Sequence, residues 1–283
     1  MTILDDEGTE VVVESEPDVV VSLTPAITET LFALGVGDRI AGRAEDPVLY
    51  PAEAADIPEV AKFDAVDLEL IVASEPDVVF AGGNSFTPPA AIEQMRSLGL
   101  DVIVLYAPTV DAVLHDLEVV GDAVGRGAEA DAIVELNRVG FAAVVDAVAD
   151  LPRPRVFYEL DSTGAIYGPA ADSFVAEMIG SAGGEAVTTG SPVKFDISLE
   201  RLIEADPEVI LLADAQFGVS PEEVAARPGW DVIRAVRDGD IRPIDDQTVT
   251  RPGPRLFNGL ELLASTIHPD ASIPRSSPIP AVP

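Results

Sequence analysis

Apolar positions along this chain alternate between two patterns. Short β-branched runs at residues 11–13, 19–21, 39–42, 102–105, 155–159 and 241–244 read as strands, and stretches with apolar residues three and four apart at 25–34, 89–98, 110–124 and 254–267 read as helices. The punctuation agrees. Ser22-Leu23-Thr24-Pro25 offers Thr24 as an N-cap with proline at the first helical position, and Gly35 and Gly99 close the helices before them. Residues 47–58 read as a loop, and short helices are predicted at 172–179, 221–226 and 232–236. Between residues 128 and 150 the pattern becomes one long helix, with Ala132, Ile133, Leu136, Val139, Ala143, Val144 and Ala147 on the helical period and Gly140 as its internal glycine. Pro152 and Pro154 stop it.

Residues 67–83 and 198–214 repeat one another: Leu68, Glu69, Pro76 and Val78 recur as Leu199, Glu200, Pro207 and Val209. Each copy reads as a capped short helix, a proline-acid turn and a buried strand, with Asp67 and Ser198 as the caps. Alternating strands and helices in both halves predict an α/β fold of two doubly wound lobes with parallel central sheets, joined by the single long helix. The expected boundaries are 1–126 for the first lobe, 127–151 for the connecting helix and 152–268 for the second lobe. Residues 269–283 form a Pro/Ser-rich tail with no evident reason to pack.

Composition changes the picture in one respect. Asp and Glu number 50 against 17 Lys and Arg, for a net charge of −33, spread along the whole chain. Such a surface repels nucleic acid and anionic membranes. It suits a protein working in concentrated salt, where the screening length falls to roughly 3 Å at 1 M. Cysteine is absent, so there is no disulfide framework, thiolate metal site or cysteine nucleophile. No apolar run is long enough to span a bilayer. The opening residues lack the regions of a secretory signal, leaving two expectations: a protein that stays inside, or one whose leader is missing from this sequence.

Candidate chemistry is sparse. Glu69 and Glu200 fall in the first turn of matched helices, where an acid either complements the helix dipole or, one per lobe, docks on arginines of a symmetric partner. Arg251 and Arg255 stand out because cations are scarce. Arg251 follows the 241–244 strand at the end where such sheets bind ligands, and its competing reading is an ion pair with Asp245, Asp246 or Glu261. Loops after strands supply further wall candidates: Ser22, Thr24, Asp46, Tyr50, Lys62, Phe63, residues 82–86, Tyr167, Lys194 and Phe195. His115 and His268 have no ligand-spaced partners, and no nucleophile elbow, phosphate loop or dinucleotide fingerprint occurs. Trp230, after Pro228-Gly229, reads as packing.

Val20-Val21-Ser22-Leu23-Thr24-Pro25-Ala26-Ile27-Thr28-Glu29 followed by Leu34-Gly35-Val36-Gly37-Asp38 resembles the opening of the vitamin B12/iron-siderophore family of ABC-transporter substrate-binding proteins. The Asp5 to Val11 segment, Leu68-Glu69, Glu75-Pro76-Asp77-Val78-Val79, Gly183-Gly184, Ser198-Leu199-Glu200 and Arg251-Pro252-Gly253-Pro254-Arg255 resemble it too, in order across residues 3–267.

The resemblance implies a monomeric, non-enzymatic receptor with a helical backbone and little hinge closure. It would act on the outer face of the membrane, with the ligand between the lobes and Glu69 and Glu200 docking on the permease dimer that works with ATPase subunits. It places Thr24, Tyr50, Phe63, Gly82, Lys194 and Arg251 at the ligand, with Tyr50 and Phe63 opposite Arg251, and no intrinsic cofactor or metal. Vitamin B12 members often line the cleft with tryptophans, where Gly82 and Lys194 stand here. The implied cargo is cobalamin or a related corrinoid. The alternative is a ferric siderophore or haem, which Lys194 and Arg251 would suit as an anionic chelate. An enzyme on the same scaffold would need Cys or His ligands, and a cytoplasmic corrinoid-handling protein is suggested only by the missing leader.

Overall fold

The computed structural model describes residues 1–62, 65–84 and 86–275. An antiparallel hairpin, β1 (Thr2–Leu4) with β2 (Glu10–Val12), opens the chain. The next strands are β3 (Val20–Ser22), β4 (Ile40–Ala44), β5 (Glu59–Lys62), β6 (Ala65–Val66), β7 (Val78–Gly82) and β8 (Val102–Leu105). They form a sheet ordered β6-β5-β4-β3-β7-β8, parallel except at β6. Helices α1 (Pro25–Ala33), α2 (Leu68–Ala73), α3 (Pro89–Ser97) and α4 (Val110–Ala123) connect and flank these strands. Every residue of β3 and β7 is buried, as expected for central strands covered on both faces.

After α5 (Gly127–Val148) the second lobe repeats the scheme with β9 (Arg155–Glu159), β10 (Ile166–Tyr167), β11 (Glu185–Val187), β12 (Asp196–Ile197), β13 (Val209–Leu212) and β14 (Ile241–Pro243). The order β11-β9-β13-β14 is wholly parallel, and β10 with β12 makes a separate antiparallel pair. Helices α6 (Phe174–Ser181), α7 (Leu199–Ala205), α8 (Pro221–Ala225), α9 (Arg234–Asp238), α10 (Asp246–Thr250) and α11 (Leu256–Ile267) complete it. In each sheet the strand order reverses beside the strand that comes first in sequence in that sheet, β3 or β9. A crevice opens there, outside the carboxyl ends of the strands.

The long helix is more than a bare connector. Its buried face, from Ala130 through Ile133, Val134, Asn137, Gly140 and Val144 to Val148, packs against α4 of one lobe and α11 of the other. Gly140 is required by this packing: a Cβ there would lie 2.3 Å from the Phe257 ring. Buried Asn137 fixes the start of α11, donating to Pro254 O at 2.9 Å and accepting from Phe257 N at 2.7 Å. One apolar core therefore runs from Ile3 to Ile267 through both lobes, which opposes hinge motion between them.

Three expectations need correction. The stretch between β14 and the last helix, where the sequence predicts no element, holds α10, whose Val249 is buried. The last helix begins at Leu256, not residue 254. The tail does pack in part, because Ile273 lies against the main core.

Candidate functional site

A cavity of about 700 Å³ lies between the lobes. Its floor is the turn from β3 into α1, where Thr24 caps the helix by accepting from Ile27 N at 3.2 Å and Pro25 occupies the first turn. Gly82 and Gly83, at the end of β7, complete the floor. A Cβ on Gly82 would meet the Thr24 methyl at 2.8 Å, so these glycines let the backbone form a flat surface. Helix α4 supplies one wall with Val113, Asp116, Leu117 and Val120, beside Tyr106 and Ala107. The second lobe supplies Phe195, Gln247, Thr250, Arg251 and Pro252. The walls are mostly apolar with a few polar groups, the usual make-up of a small-molecule site.

Arg251 bridges the lobes. Its guanidinium lies 3.0 Å from Asp46 Oδ1 and 3.5 Å from Glu29 Oε2, donates to Tyr50 O at 3.4 Å, and also donates to Gln247 Oε1. The side chains of Arg251, Asp46 and Glu29 are all more than 90% buried. The expected partners Asp245, Asp246 and Glu261 are therefore corrected to two carboxylates of the opposite lobe. Arg255 joins the same cluster, giving Nε and Nη2 to Glu29 at 2.6 and 3.0 Å. Its guanidinium stacks 3.9 Å from the Tyr50 ring centroid. A cation at the start of α11 opposes the helix dipole, and Glu29 supplies the local reason for it.

Of the sequence candidates, Thr24, Gly82 and Arg251 line the cavity, together with Asp46, Asn84, Phe86 and Phe195. Tyr50 stands outside the cavity wall, under Arg255. Lys194 is exposed and outside the wall, while its neighbour Phe195 lies on it. Phe63 lies outside the described residues. Glu69 and Glu200 are exposed in the first turns of α2 and α7, below the caps Asp67 and Ser198, and among the described residues neither has an ion-pair partner.

Asp116 was not singled out by the sequence. It lies on the cavity wall with its Oδ1 buried and accepting from no donor. Burial, and then the neighbouring Asp6 carboxyl within hydrogen-bonding reach, pushes its pKa up to about 8. At neutral pH this wall position is a protonated acid rather than a charge. Asp6 belongs to the opening hairpin, whose turn is tied to β8: Asp6 N donates to Val104 O at 3.0 Å, and the Asp6 carboxylate accepts from Tyr106 N. Among the described residues no cluster of three His, Cys, Asp or Glu side chains could hold a metal ion.

Two lobes on one rigid core, with a mostly apolar cavity between their strand ends, make the architecture of a small-molecule binding protein. The chain belongs to the periplasmic binding protein family, whose model, described as "Periplasmic binding protein", matches residues 20–248. It is thus of the substrate-binding type that serves ABC importers. Over 275 residues it is 30% identical to the "Uncharacterized ABC transporter substrate-binding lipoprotein YvrC" of Bacillus subtilis, covering 95% of this chain and 86% of that protein. It is 26% identical to the "Cobalamin-binding protein" of Halobacterium salinarum, covering 93% of this chain and 73% of the relative. Among solved structures, the haem-binding protein RhuT from Roseiflexus sp. RS-1 superposes with a TM-score of 0.77 at 25% identity, covering 89% of this chain and 98% of that one. No helix among the described residues is long and apolar enough to cross a membrane.

Proposed function

We propose that this protein captures cobalamin or a related corrinoid in the inter-lobe cavity and delivers it to an ABC importer on the outer face of the membrane, performing no chemistry itself. One observation carries the choice of cargo. Arg251, the cation on the described wall, is taken up by Asp46 and Glu29. What remains for hydrogen bonding is neutral: the Asn84 side-chain amide, the Gln247 amide nitrogen, the Thr24 hydroxyl hydrogen and the Asp116 carboxyl. Neutral groups on apolar walls suit a large ligand whose periphery carries amides. An anionic chelate would lose its water without gaining a free cation. The cobalamin-binding relative from Halobacterium supports the same reading. The second reading, haem or a ferric siderophore, rests on the likeness to the haem-binding structure and on the aromatic wall residues Phe86, Tyr106 and Phe195.

Delivery rests on Glu69 and Glu200, exposed, matched and unpaired among the described residues, as the docking contacts for arginines of a permease dimer. The cargo assignment is tested by visible-absorbance titration of the purified protein, in molar salt, with cyanocobalamin, haem and a ferric hydroxamate. Cobalamin is expected to bind more tightly than the other two. Affinity weaker than about 100 μM, near −5.5 kcal/mol, for cobalamin contradicts the assignment. Replacing Glu69 and Glu200 together by alanine should abolish uptake in cells and leave cargo affinity unchanged.

A further inference from the structure

Arg251 is placed where a receptor for anionic cargo would want its cation, yet its guanidinium is committed to the protein. The commitment comes from the opposite lobe. Asp46, in the loop after β4, holds Nη2 at 3.0 Å, and Glu29, on α1, stands 3.5 Å from Nη1. Asp46 is itself fixed. Its Oδ1 also accepts from Val48 N at 3.2 Å and its Oδ2 from Tyr50 N at 3.3 Å, so the loop cannot swing the carboxylate away without breaking its own turn. Both Asp46 and Arg251 lie on the cavity wall. An arriving carboxylate would have to displace a preorganised, nearly dry ion pair, and it would face Asp46 while doing so.

We propose that Asp46, backed by Glu29, sets the cargo specificity of the cleft by neutralising Arg251, so that the cavity admits neutral, amide-bearing ligands and turns away carboxylate-bearing ones. This rests on the proposed receptor function and adds the residues that decide its selectivity. Rejection works here through repulsion and prior occupation of a cation, not through a missing pocket.

The experiment measures dissociation constants for haem, which carries two carboxylates, and for cyanocobalamin, which carries neutral amides. The proteins are wild type, Asp46→Asn and Arg251→Gln, at one fixed salt concentration, with melting temperatures recorded for each. Asp46→Asn keeps the size and removes the charge; its amide nitrogen gives up one of the two turn hydrogen bonds, and Arg251 is left with Glu29 as its carboxylate partner. The ratio of haem affinity to cobalamin affinity is expected to rise about tenfold, equivalent to about 1.4 kcal/mol. Arg251→Gln leaves the carboxylates unbalanced and moves the ratio the other way. An unchanged or lower ratio in Asp46→Asn, with a melting temperature near wild type, overturns the proposal. If Asp46→Asn does not fold, the Arg251→Gln ratio decides, and a rise there overturns it. Failure of cobalamin to bind any of the proteins contradicts the receptor's cargo assignment. In that case haem affinity alone decides the selectivity question: a gain in Asp46→Asn supports it and no gain overturns it.

Discussion

Arg255 grips Glu29 with two prongs, Nε to Oε1 at 2.6 Å and Nη2 to Oε2 at 3.0 Å, joining residues 226 positions apart and from opposite lobes. The Glu29 side chain is 4% exposed, so little water competes for it. Pairs of this kind add little compared with a well-packed apolar alternative, yet losing one partner strands a buried charge. Glu29→Ala leaves both Arg255 and Arg251 short of a carboxylate and is expected to cost about 3 kcal/mol. Denaturant unfolding followed by fluorescence of the buried Trp230 measures it. A loss below about 0.5 kcal/mol, the range of ordinary surface substitutions, would show that the pair does not hold the lobes together.

The acid on the cavity wall gives stability a pH dependence of definite sign. Asp116 titrates near 8 in the folded chain, against an ordinary unfolded value of about 3.9. Between those values the folded state binds the extra proton, so this contribution is full below about pH 4, falls as pH rises, and is gone above about 8. The loss can reach about 1.4 kcal/mol per pH unit from one group. Asp214, pushed up to about 6 by burial and the neighbouring Glu159, adds a slope of the same sign lower down. Asp246, raised by burial, adds to the same slope, and His268, lowered by burial, opposes it up to its unfolded value of about 6.5. The difference between wild type and an Asp116 variant from about pH 6 to 8 is therefore what isolates Asp116. Asp116→Asn should flatten the unfolding free energy across that interval, and an unaltered slope would remove Asp116 as its source.

Lobe rigidity makes Gly140 intolerant of change. Because a Cβ would meet the Phe257 ring at 2.3 Å, Gly140→Leu must push α11 away from the long helix and strain the Asn137 bridge beneath it. Overpacking of this kind costs about 3 kcal/mol. The melting temperature should fall by several degrees. A variant that melts with wild type would mean that α5 and α11 are not held in register.

Much of the fold was legible because its signals are local. Thr24-Pro25 fixed the start of α1, β-branched runs marked β8 and β9 to the residue, and the repeat matched α2–β7 with α7–β13. Helix α10 was not legible: Asp246-Gln247-Thr248-Val249-Thr250 has no apolar period, and it is held by a buried Val249 and by Arg255 Nη1 donating to Thr248 at 3.2 Å. The site was legible only in part. Arg251 stood out by scarcity, but its partners Asp46 and Glu29 lie about two hundred residues away in sequence, beyond any local pattern. Asp116 carried no signal at all, because one more acid in a chain with 50 is invisible until its burial is known.

If cargo sits in the cavity between the lobes, filling that space must expel it. Ala26, half-buried in the first turn of α1, lines the cavity. Calorimetric titration of cyanocobalamin into wild type and Ala26→Trp should show at least about a tenfold loss of affinity, near 1.4 kcal/mol, in the variant, with its melting temperature unchanged. Equal affinity for the open and the blocked cleft would place the ligand outside the cavity.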